Sequence, residues 1–73
     1  MLNKLTEIVR KYTGDDSIVL EENTVLIGDL GLNSFDLASL ACDVEDEFDV
    51  EIPDRAIKDF KTVSDIMEFV EAQ

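Results

Sequence analysis

Apolar residues recur at helical spacing in two long stretches of the chain. Near the N-terminus the spacing predicts an amphipathic helix over about residues 3–13, which ends at Thr13 and Gly14. A second helix is predicted from Ser34 to about Asp49. Its apolar stripe consists of Leu37, Leu40, Ala41, Val44 and Phe48. Each of these helices therefore has one apolar face that is expected to pack against a core.

The last third of the chain predicts two further helices. Asp54 follows Pro53 and is expected to be the N-cap of a short third helix, which carries apolar residues as far as Phe60. Thr62 and Asp65 have the spacing of a capping box, with Asp in place of the usual Glu or Gln, and open a final helix. Three main helices and one short helix predict an all-α fold, a small four-helix bundle.

The connection between the first two helices, residues 14–33, is long and contains both turn residues and apolar residues. A loop of about 20 residues is uncommon in a compact domain unless it is functional or packed down. Among its apolar residues are the expected anchors Ile18, Leu20, Val25, Leu26, Leu30 and Leu32. They predict that the long first loop packs against the bundle and contains a short turn of helix.

Composition narrows the range of functions. The 73 residues include 18 acids, 6 bases and no histidine, which gives a net charge of −12. Nucleic-acid binding is not expected, because phosphate neutralisation requires clustered Lys and Arg. An enzyme is not expected either. Without histidine the chain can form neither a Ser-His-Asp triad nor a Cys-His pair, and it has almost no zinc ligands.

Chain length and the single cysteine bear on domain number and location. A chain of 73 residues is far below the length at which cores split, so we expect one domain over residues 1–73, and we also expect a monomer. No apolar run approaches a membrane span and the N-terminus lacks the apolar region of a signal peptide, so membrane insertion is not expected. Cys42 cannot form an internal disulfide, which fits a reducing compartment and a cytoplasmic location.

The acidic residues are concentrated in the middle of the chain. The 43 residues between Lys11 and Arg55 contain no base and hold 13 of the 18 acids. Negative charge suits a helix N-terminus, as at Asp36, but it is unfavourable near the C-terminus of the second helix, where Asp46 and Asp49 lie. A solvated face that keeps a small protein in solution is the commoner explanation of such a run. Here the local concentration predicts a docking surface for basic partners.

A helical projection places a neutral strip on the outside of the second helix, opposite its core stripe. The strip consists of Phe35, Ala38, Ser39 and Cys42, flanked by the carboxylates of Asp36, Asp43 and Asp46. An exposed Phe bordered by carboxylates is typical of a protein-binding hot spot. The alternative is that Phe35 folds back against Leu30 or Leu32. The spacing of the acids fails the EF-hand pattern, so no dedicated metal site is expected.

Asn33 and Ser34 lie where the long loop meets the second helix. Ser and Asn are both preferred N-caps, so capping is the simplest interpretation of Ser34. A phosphodiester on Ser34 would also suit this place, because a helix N-terminus stabilises phosphate through its free N–H groups and its dipole. Nothing in the chain could activate the hydroxyl, so another enzyme would have to modify it.

Three segments together resemble the acyl carrier proteins. They are Asp29–Leu37 (DLGLNSFDL), Val44–Pro53 (VEDEFDVEIP) and Thr62–Asp65 (TVSD), so the resemblance covers nearly the whole chain. It implies a four-helix carrier without catalysis of its own. In this family the serine of an Asp-Ser-Leu motif receives 4′-phosphopantetheine from coenzyme A, and by position that serine is Ser34. The thiol of this arm then holds acyl groups as thioesters.

The resemblance also implies partners. A magnesium-dependent phosphopantetheinyl transferase would attach the arm. Acyl-loading and chain-elongating synthase enzymes with basic docking patches would bind the second helix, in fatty-acid, polyketide or related lipid synthesis. The partner-binding residues would be Asn33, Phe35, Asp36, Ala38, Cys42, Asp43 and Asp46. Acyl chains would insert between the helices, although periodicity alone assigns the five candidate lining residues to ordinary core packing. Those candidates are Leu40, Val44, Ile52, Ile57 and Phe60.

Two positions depart from the family's motif. Asn33 replaces Asp before the serine, and Phe35 replaces Leu after it. In the family that Asp helps to hold the magnesium ion during transfer of the arm, so its replacement by Asn33 affects which transferase can modify the chain. Phe35 adds bulk beside the serine and indicates a pathway-specific partner. Two alternatives stay open: an aminoacyl or peptidyl carrier of a specialised pathway, and an unmodified acidic interaction module in which Ser34 is only a cap.

Overall fold

The computed structural model describes residues 1–73 and contains four helices. They are α1 (Leu2–Thr13), α2 (Ser34–Phe48), α3 (Asp54–Ile57) and α4 (Val63–Glu71). The predicted all-α fold, with three main helices, one short helix and a long first loop, is confirmed. None of the four helices combines the length and the apolar character that a membrane crossing requires.

The ends of the two long helices follow from single residues. α1 ends at Gly14, whose φ of 75° is left-handed, and the Gly14 N–H donates to the Arg10 carbonyl at 2.8 Å. α2 ends in the same way at Asp49, with φ of 54°, although Asp lacks the conformational freedom of glycine there. α2 therefore ends on a strained residue whose negative charge lies at the unfavourable end of the helix.

The short helix α3 begins and ends differently from the prediction. Asp54 is its first residue rather than its N-cap, and Pro53 takes the cap position without a side-chain hydrogen bond. With φ of −69° and ψ of 154°, Pro53 leads straight into the helix, and its carbonyl accepts from Ala56 and Ile57 at 2.9 and 3.3 Å. Phe60 lies beyond α3, because the chain tightens into a turn in which the Phe60 N–H donates to the Ile57 carbonyl at 3.1 Å.

α4 begins at the predicted capping box. Asp65 Oδ2 accepts from the backbone N–H groups of Lys61 at 2.8 Å and Thr62 at 3.0 Å. These two donors lower the pKa of the Asp65 carboxyl, because they stabilise its charged form. Asp therefore serves in the place of Glu or Gln in this capping box.

The long loop is tied to the link between α3 and α4. The Leu26 N–H donates to the Lys61 carbonyl at 2.9 Å, and the Val63 N–H donates to the Thr24 carbonyl at 3.0 Å. A helical turn over residues 25–31 follows, with hydrogen bonds between residues four apart at 2.9 and 3.0 Å. The fully buried apolar residues of the loop are Leu20, Leu26 and Leu32. The predicted packing of the loop and its turn of helix are therefore confirmed.

Fourteen buried residues form one apolar core, and none of them is polar or charged. They are Leu5, Val9, Leu20, Leu26, Leu32, Leu37, Leu40, Ala41, Val44, Ile52, Phe60, Val63, Ile66 and Val70. Every ionisable side chain is therefore at least partly exposed, and the groups that can do chemistry or bind a partner through charge lie at the surface.

Candidate functional site

A reciprocal pair of side-chain hydrogen bonds closes the entrance of α2. Asn33 Oδ1 accepts from the Asp36 N–H at 2.9 Å, and Asp36 Oδ2 accepts from the Asn33 N–H at 3.1 Å. Asn33 is therefore the N-cap of α2, and Ser34 is the first residue of the helix. The simplest interpretation of the sequence, in which Ser34 is the cap, is wrong, because its neighbour occupies the cap position.

Ser34 is exposed, and its hydroxyl takes part in none of the hydrogen bonds at this end of the helix. The other serines differ from it. The hydroxyls of Ser17 and Ser64 are hydrogen-bonded to neighbouring side chains, and Ser39 is half-buried. Ser34 is thus the serine whose hydroxyl is both exposed and unengaged.

The position of Ser34 suits a phosphodiester. The backbone N–H groups of Ser34 and Phe35 form no hydrogen bond within the chain, as is usual for the first turn of a helix. Together with the dipole of the 15-residue helix, these free donors favour negative charge. The residues present therefore fit the phosphate end of a phosphopantetheine arm.

A long-range hydrogen bond joins this entrance to α1. Tyr12 Oη donates to Asp36 Oδ1 at 2.7 Å, so the two carboxylate oxygens of Asp36 bond to different parts of the chain. The bond to this carboxylate raises the pKa of Tyr12, because loss of the phenol proton would place two negative charges side by side. Asp36 therefore has a structural role, and its predicted role in partner binding stays a prediction.

The sequence did not predict the hydrogen bond between Tyr12 and Asp36. The two residues are 24 positions apart. Helical periodicity relates residues within one helix only, so it carries no signal for a contact between two helices. Only the packing of α1 against α2 shows that the phenol reaches the entrance of α2.

On the outer face of α2, Phe35, Ala38 and Cys42 have the exposure that the helical projection predicted, and Ser39 does not. Phe35 is 76% exposed, so the alternative in which it folds back against Leu30 or Leu32 is wrong. Ser39 is half-buried, and Cys42 is a free thiol. We call the exposed residues of this side the docking face; they are Phe35, Ala38, Cys42, Asp43 and Asp46.

Basic residues of α1 lie beside the acids of α2. Lys4 Nζ is 3.4 Å from Glu47 Oε1, which is the only ion pair in the chain. A cleft of about 620 Å³ between the two helices is lined by Lys11 and by carboxylates that include Asp43 and Asp46. Acids outnumber bases in this cleft, so α1 neutralises only part of the negative charge of α2.

The five candidate lining residues for an acyl chain separate into two groups. Leu40, Val44, Ile52 and Phe60 line a closed cavity in the core, whose volume of about 10 Å³ is barely enough for one water molecule. Ile57 instead lies at the wall of an open groove. The structure therefore brings four of the five together, around a space that is too small for an acyl chain.

The open groove lies beside Ser34 and has a volume of about 700 Å³. Its walls come from the long loop, from the first turns of α2, and from α3 with the link that follows it. We call it the Ser34 groove; among its lining residues are Val25, Ile27, Ser34, Ile57, Lys58 and Lys61. Sequence reasoning did not predict this groove, because three separate segments form it.

Comparison with known proteins identifies the family. A family model described as the phosphopantetheine attachment site matches residues 3–70. The acyl carrier protein of Clostridium perfringens is 38% identical over 72 residues, which cover 96% of this chain and 92% of that protein. The chain belongs to the acyl carrier protein family.

Further relatives agree with this assignment. The acyl carrier protein of Micrococcus luteus is 34% identical over 71 residues, which cover 97% of this chain and 88% of that protein. A solved structure from Mycobacterium tuberculosis, assigned as an acyl carrier protein, matches with a TM-score of 0.86 and 30% identity. That match covers 96% of this chain and 93% of the other. The resemblance seen in the sequence and the four-helix fold that it implied are thus confirmed.

Membership of the family determines the general role of the chain. Acyl carrier proteins are non-catalytic carriers, and phosphopantetheine is their covalent cofactor. The family also implies interaction with a phosphopantetheinyl transferase, which attaches the arm, and with synthases, which use it.

Proposed function

We propose that Ser34 carries the phosphopantetheine arm and that the chain presents acyl groups on it, as thioesters, to enzymes of fatty-acid, polyketide or related lipid synthesis. The observation that supports this most strongly is the placement of Ser34, which is exposed, unengaged and first in α2. Asn33 and Asp36 hold the backbone on which Ser34 lies, so the arm would start from an ordered helix entrance. In this proposal residues 1–73 act as one carrier domain.

The chain contributes an attachment point and a surface to this function. When bound, the arm supplies the thiol that forms the thioester. Ser34 Oγ supplies the ester oxygen, and no side chain of the protein hydrogen-bonds to it as a base. The transferase must therefore remove the proton, while the N-terminal end of α2 stabilises the charge of the phosphodiester.

The docking face supports recognition by enzymes that have basic patches. Asp43 and Asp46 are exposed on α2, and Phe35 offers an apolar anchor next to Ser34. Complementary charge speeds the encounter between proteins, and a desolvated aromatic residue adds affinity at the centre of an interface. We propose that the transferase and the acyl-loading and chain-elongating enzymes all approach this face.

Asn33 lacks the negative charge of the Asp that the family's motif has at this position, but it still caps α2. Asn is as good an N-cap as Asp, and Asn33 forms both hydrogen bonds of the capping box. The carboxylate that helps related proteins to hold magnesium is absent, so we propose that the chain is modified by a transferase that does not depend on it. A cytoplasmic location and a monomeric state also stay predictions.

An intact-mass measurement tests the assignment of Ser34. The purified apo protein is incubated with coenzyme A, magnesium and a broad-specificity transferase. We expect one added phosphopantetheinyl group on the native chain and none on Ser34→Ala. Ser17→Ala, which removes another exposed serine, is the control and should be modified like the native chain. A native chain that several transferases leave unmodified would favour an acidic interaction module, whose docking face binds a basic partner without any arm.

A further inference from the structure

The hydroxyl of Tyr12 ties the first turn of α2 to α1. The capping box joins Asn33 and Asp36 only to each other, and the first helical bond runs from the Leu37 N–H to the Asn33 carbonyl at 3.0 Å. The bond from Tyr12 Oη to Asp36 Oδ1 is therefore the only hydrogen bond between residues 33–36 and another element. Helices fray from their ends, so a bond at this place restrains the whole first turn.

The α1 end of this connection is itself held in place. Tyr12 lies in the last turn of α1, and its half-buried ring packs against the apolar core. Leu5 and Val9 of the same helix are buried in that core. A tyrosine side chain has only two rotatable angles before its hydroxyl, so little freedom is lost when the hydroxyl is fixed. The packing of α1 thus sets the position of the Asp36 carboxylate.

Tyr12 and Ser34 lie on different sides of α2. Successive residues of an α-helix are turned by about 100°, so Asp36 and Ser34 point about 160° apart. The bond to Tyr12 holds Asp36 towards α1 and thereby turns Ser34 away from it, in agreement with a half-buried Asp36 and an exposed Ser34. The buried Leu37 holds the same turn through apolar contact, which is non-directional. The direction of Ser34 Oγ therefore depends on the hydrogen bond.

We propose that Tyr12 is a positioning residue for the modification of Ser34 and that it acts through Asp36. This inference rests on the proposed attachment of phosphopantetheine to Ser34. In the transfer, Ser34 Oγ forms a bond to the phosphorus that carries the pantetheine group of coenzyme A. The pyrophosphate bond breaks, adenosine bisphosphate leaves with the bonding electrons, and the hydroxyl proton passes to a base of the transferase. Such a step depends steeply on the position of the attacking oxygen, because a misplacement of about 1 Å can cost on the order of 10²-fold in rate.

Single-turnover kinetics of Tyr12→Phe test this role. Excess transferase with coenzyme A and magnesium modifies the apo protein, and intact mass follows the conversion. The variant keeps the ring and loses the hydroxyl, so we expect the maximal rate to fall about fivefold or more. The half-saturating transferase concentration should stay within about twofold, because the docking face is unchanged. An unchanged maximal rate, or a change confined to the half-saturating concentration, would overturn the proposal. A native chain that stays unmodified would instead refute the attachment to Ser34, and this inference with it.

Ile66→Val is the control for a general loss of stability. It deletes one buried methylene group on α4 and leaves the entrance of α2 intact. We expect its maximal rate to equal that of the native chain. If Ile66→Val were slowed as much as Tyr12→Phe, the stability of the bundle would set the rate, and Tyr12 would have no positioning role.

A double variant tests whether Tyr12 acts through Asp36. In Asp36→Ala the hydroxyl of Tyr12 has lost its acceptor, so adding Tyr12→Phe should slow the reaction by less than about twofold further. Losses that multiply would show that Tyr12 acts on the transferase directly, which would contradict the proposal. Circular dichroism confirms that both variants are folded.

Amide hydrogen exchange of the unmodified protein measures the first turn without any transferase. In Tyr12→Phe we expect exchange of the Asp36 and Leu37 N–H groups to speed up about fivefold or more, and by a larger factor than exchange of the Val70 N–H in α4. Equal factors at the three amides would show that the hydroxyl stabilises the bundle as a whole and does not order the entrance, which would overturn the proposal.

Discussion

Asp36, two residues after Ser34, accepts hydrogen bonds with both of its carboxylate oxygens. One carboxylate oxygen accepts from the Asn33 N–H, and the other accepts from the Tyr12 hydroxyl. A charge reversal at Asp36 would therefore break the helix cap and the contact with α1 together with any docking contact. The roles of the residues at this entrance are better separated at Asn33, Ser34 and Tyr12.

Asn33 and Ser34 should respond very differently to truncation. We expect Asn33→Ala to lower the free energy of unfolding by about 0.5–2 kcal/mol, because it removes the N-cap of α2. Ser34→Ala removes an unengaged surface hydroxyl and should change that free energy by no more than about 0.5 kcal/mol. Urea denaturation followed by circular dichroism measures both. Equal losses in the two variants would mean that Ser34 also contributes to the cap.

Tyr12 should make stability depend on alkaline pH. Its pKa is raised in the folded chain by the hydrogen bond to Asp36. The bond therefore stabilises the fold below the ordinary tyrosine pKa of about 10, and this contribution is lost as pH rises through the raised value. We expect Tyr12→Phe to melt at a lower temperature than the native chain at neutral pH, and the difference to close at strongly alkaline pH.

Melting curves over a pH series measure this effect, and the chain offers an internal check. Tyr12 is the only tyrosine, so ultraviolet absorbance reports the ionisation of this phenol alone. The absorbance titration should be displaced upward in the folded chain relative to the chain in denaturant. If the difference in melting temperature between Tyr12→Phe and the native chain stayed constant across the titration, the hydrogen bond to Asp36 would not be its cause.

Among the helices, α2 has a hydrogen-bonded cap at its N-terminus, but its C-terminus is strained and negatively charged. Asp49 has a left-handed backbone with φ of 54°, and no base lies in the last turn. We expect Asp49→Gly to raise the free energy of unfolding by roughly 1 kcal/mol, since it relieves the backbone strain and removes a negative charge from the helix C-terminus. Asp49→Asn removes the charge alone and should give a smaller gain. A less stable Asp49→Gly protein would contradict this account of the helix end.

The docking role of α2 is testable at residues that carry no structural bond. Asp43 and Asp46 are exposed and form no hydrogen bond, so Asp43→Lys/Asp46→Lys should leave helicity intact. We expect association with a transferase or synthase to slow by about tenfold or more at low salt, and the effect to shrink as salt screens the charges. Asp16→Lys/Glu71→Lys makes the same change in net charge elsewhere. Equal slowing in this control would show that net charge, and not the docking face, matters.

Elements with a strong local signal could be predicted from the sequence, and elements without one could not. The stripe of α2 runs over about three turns, so its periodicity identified the helix and also most residues of its outer face. α3 has four residues, which is too short for a period, and its start depends on Pro53 rather than on the capping preference of Asp54. The Ser34 motif could be found because the loop, the serine and the helix entrance are contiguous.

At the scale of the whole molecule, the features that escaped prediction join distant segments. The bond between Tyr12 and Asp36 and the pairing of the long loop with the α3–α4 link both depend on how the helices pack. That packing also separates charge. Acids lie on the docking face of α2, while Lys58 and Lys61 line the groove beside Ser34. In our proposal the acidic face of α2 binds partner proteins.

In our proposal Ser34 is the residue that carries the arm. Fragmentation mass spectrometry of the holo protein tests it most directly, because it locates the added group on one residue of the native chain. We predict that the phosphopantetheinyl group is on Ser34 and on no other residue. A group on the half-buried Ser39 or on the exposed thiol of Cys42, with Ser34 unmodified, would contradict this account of the site.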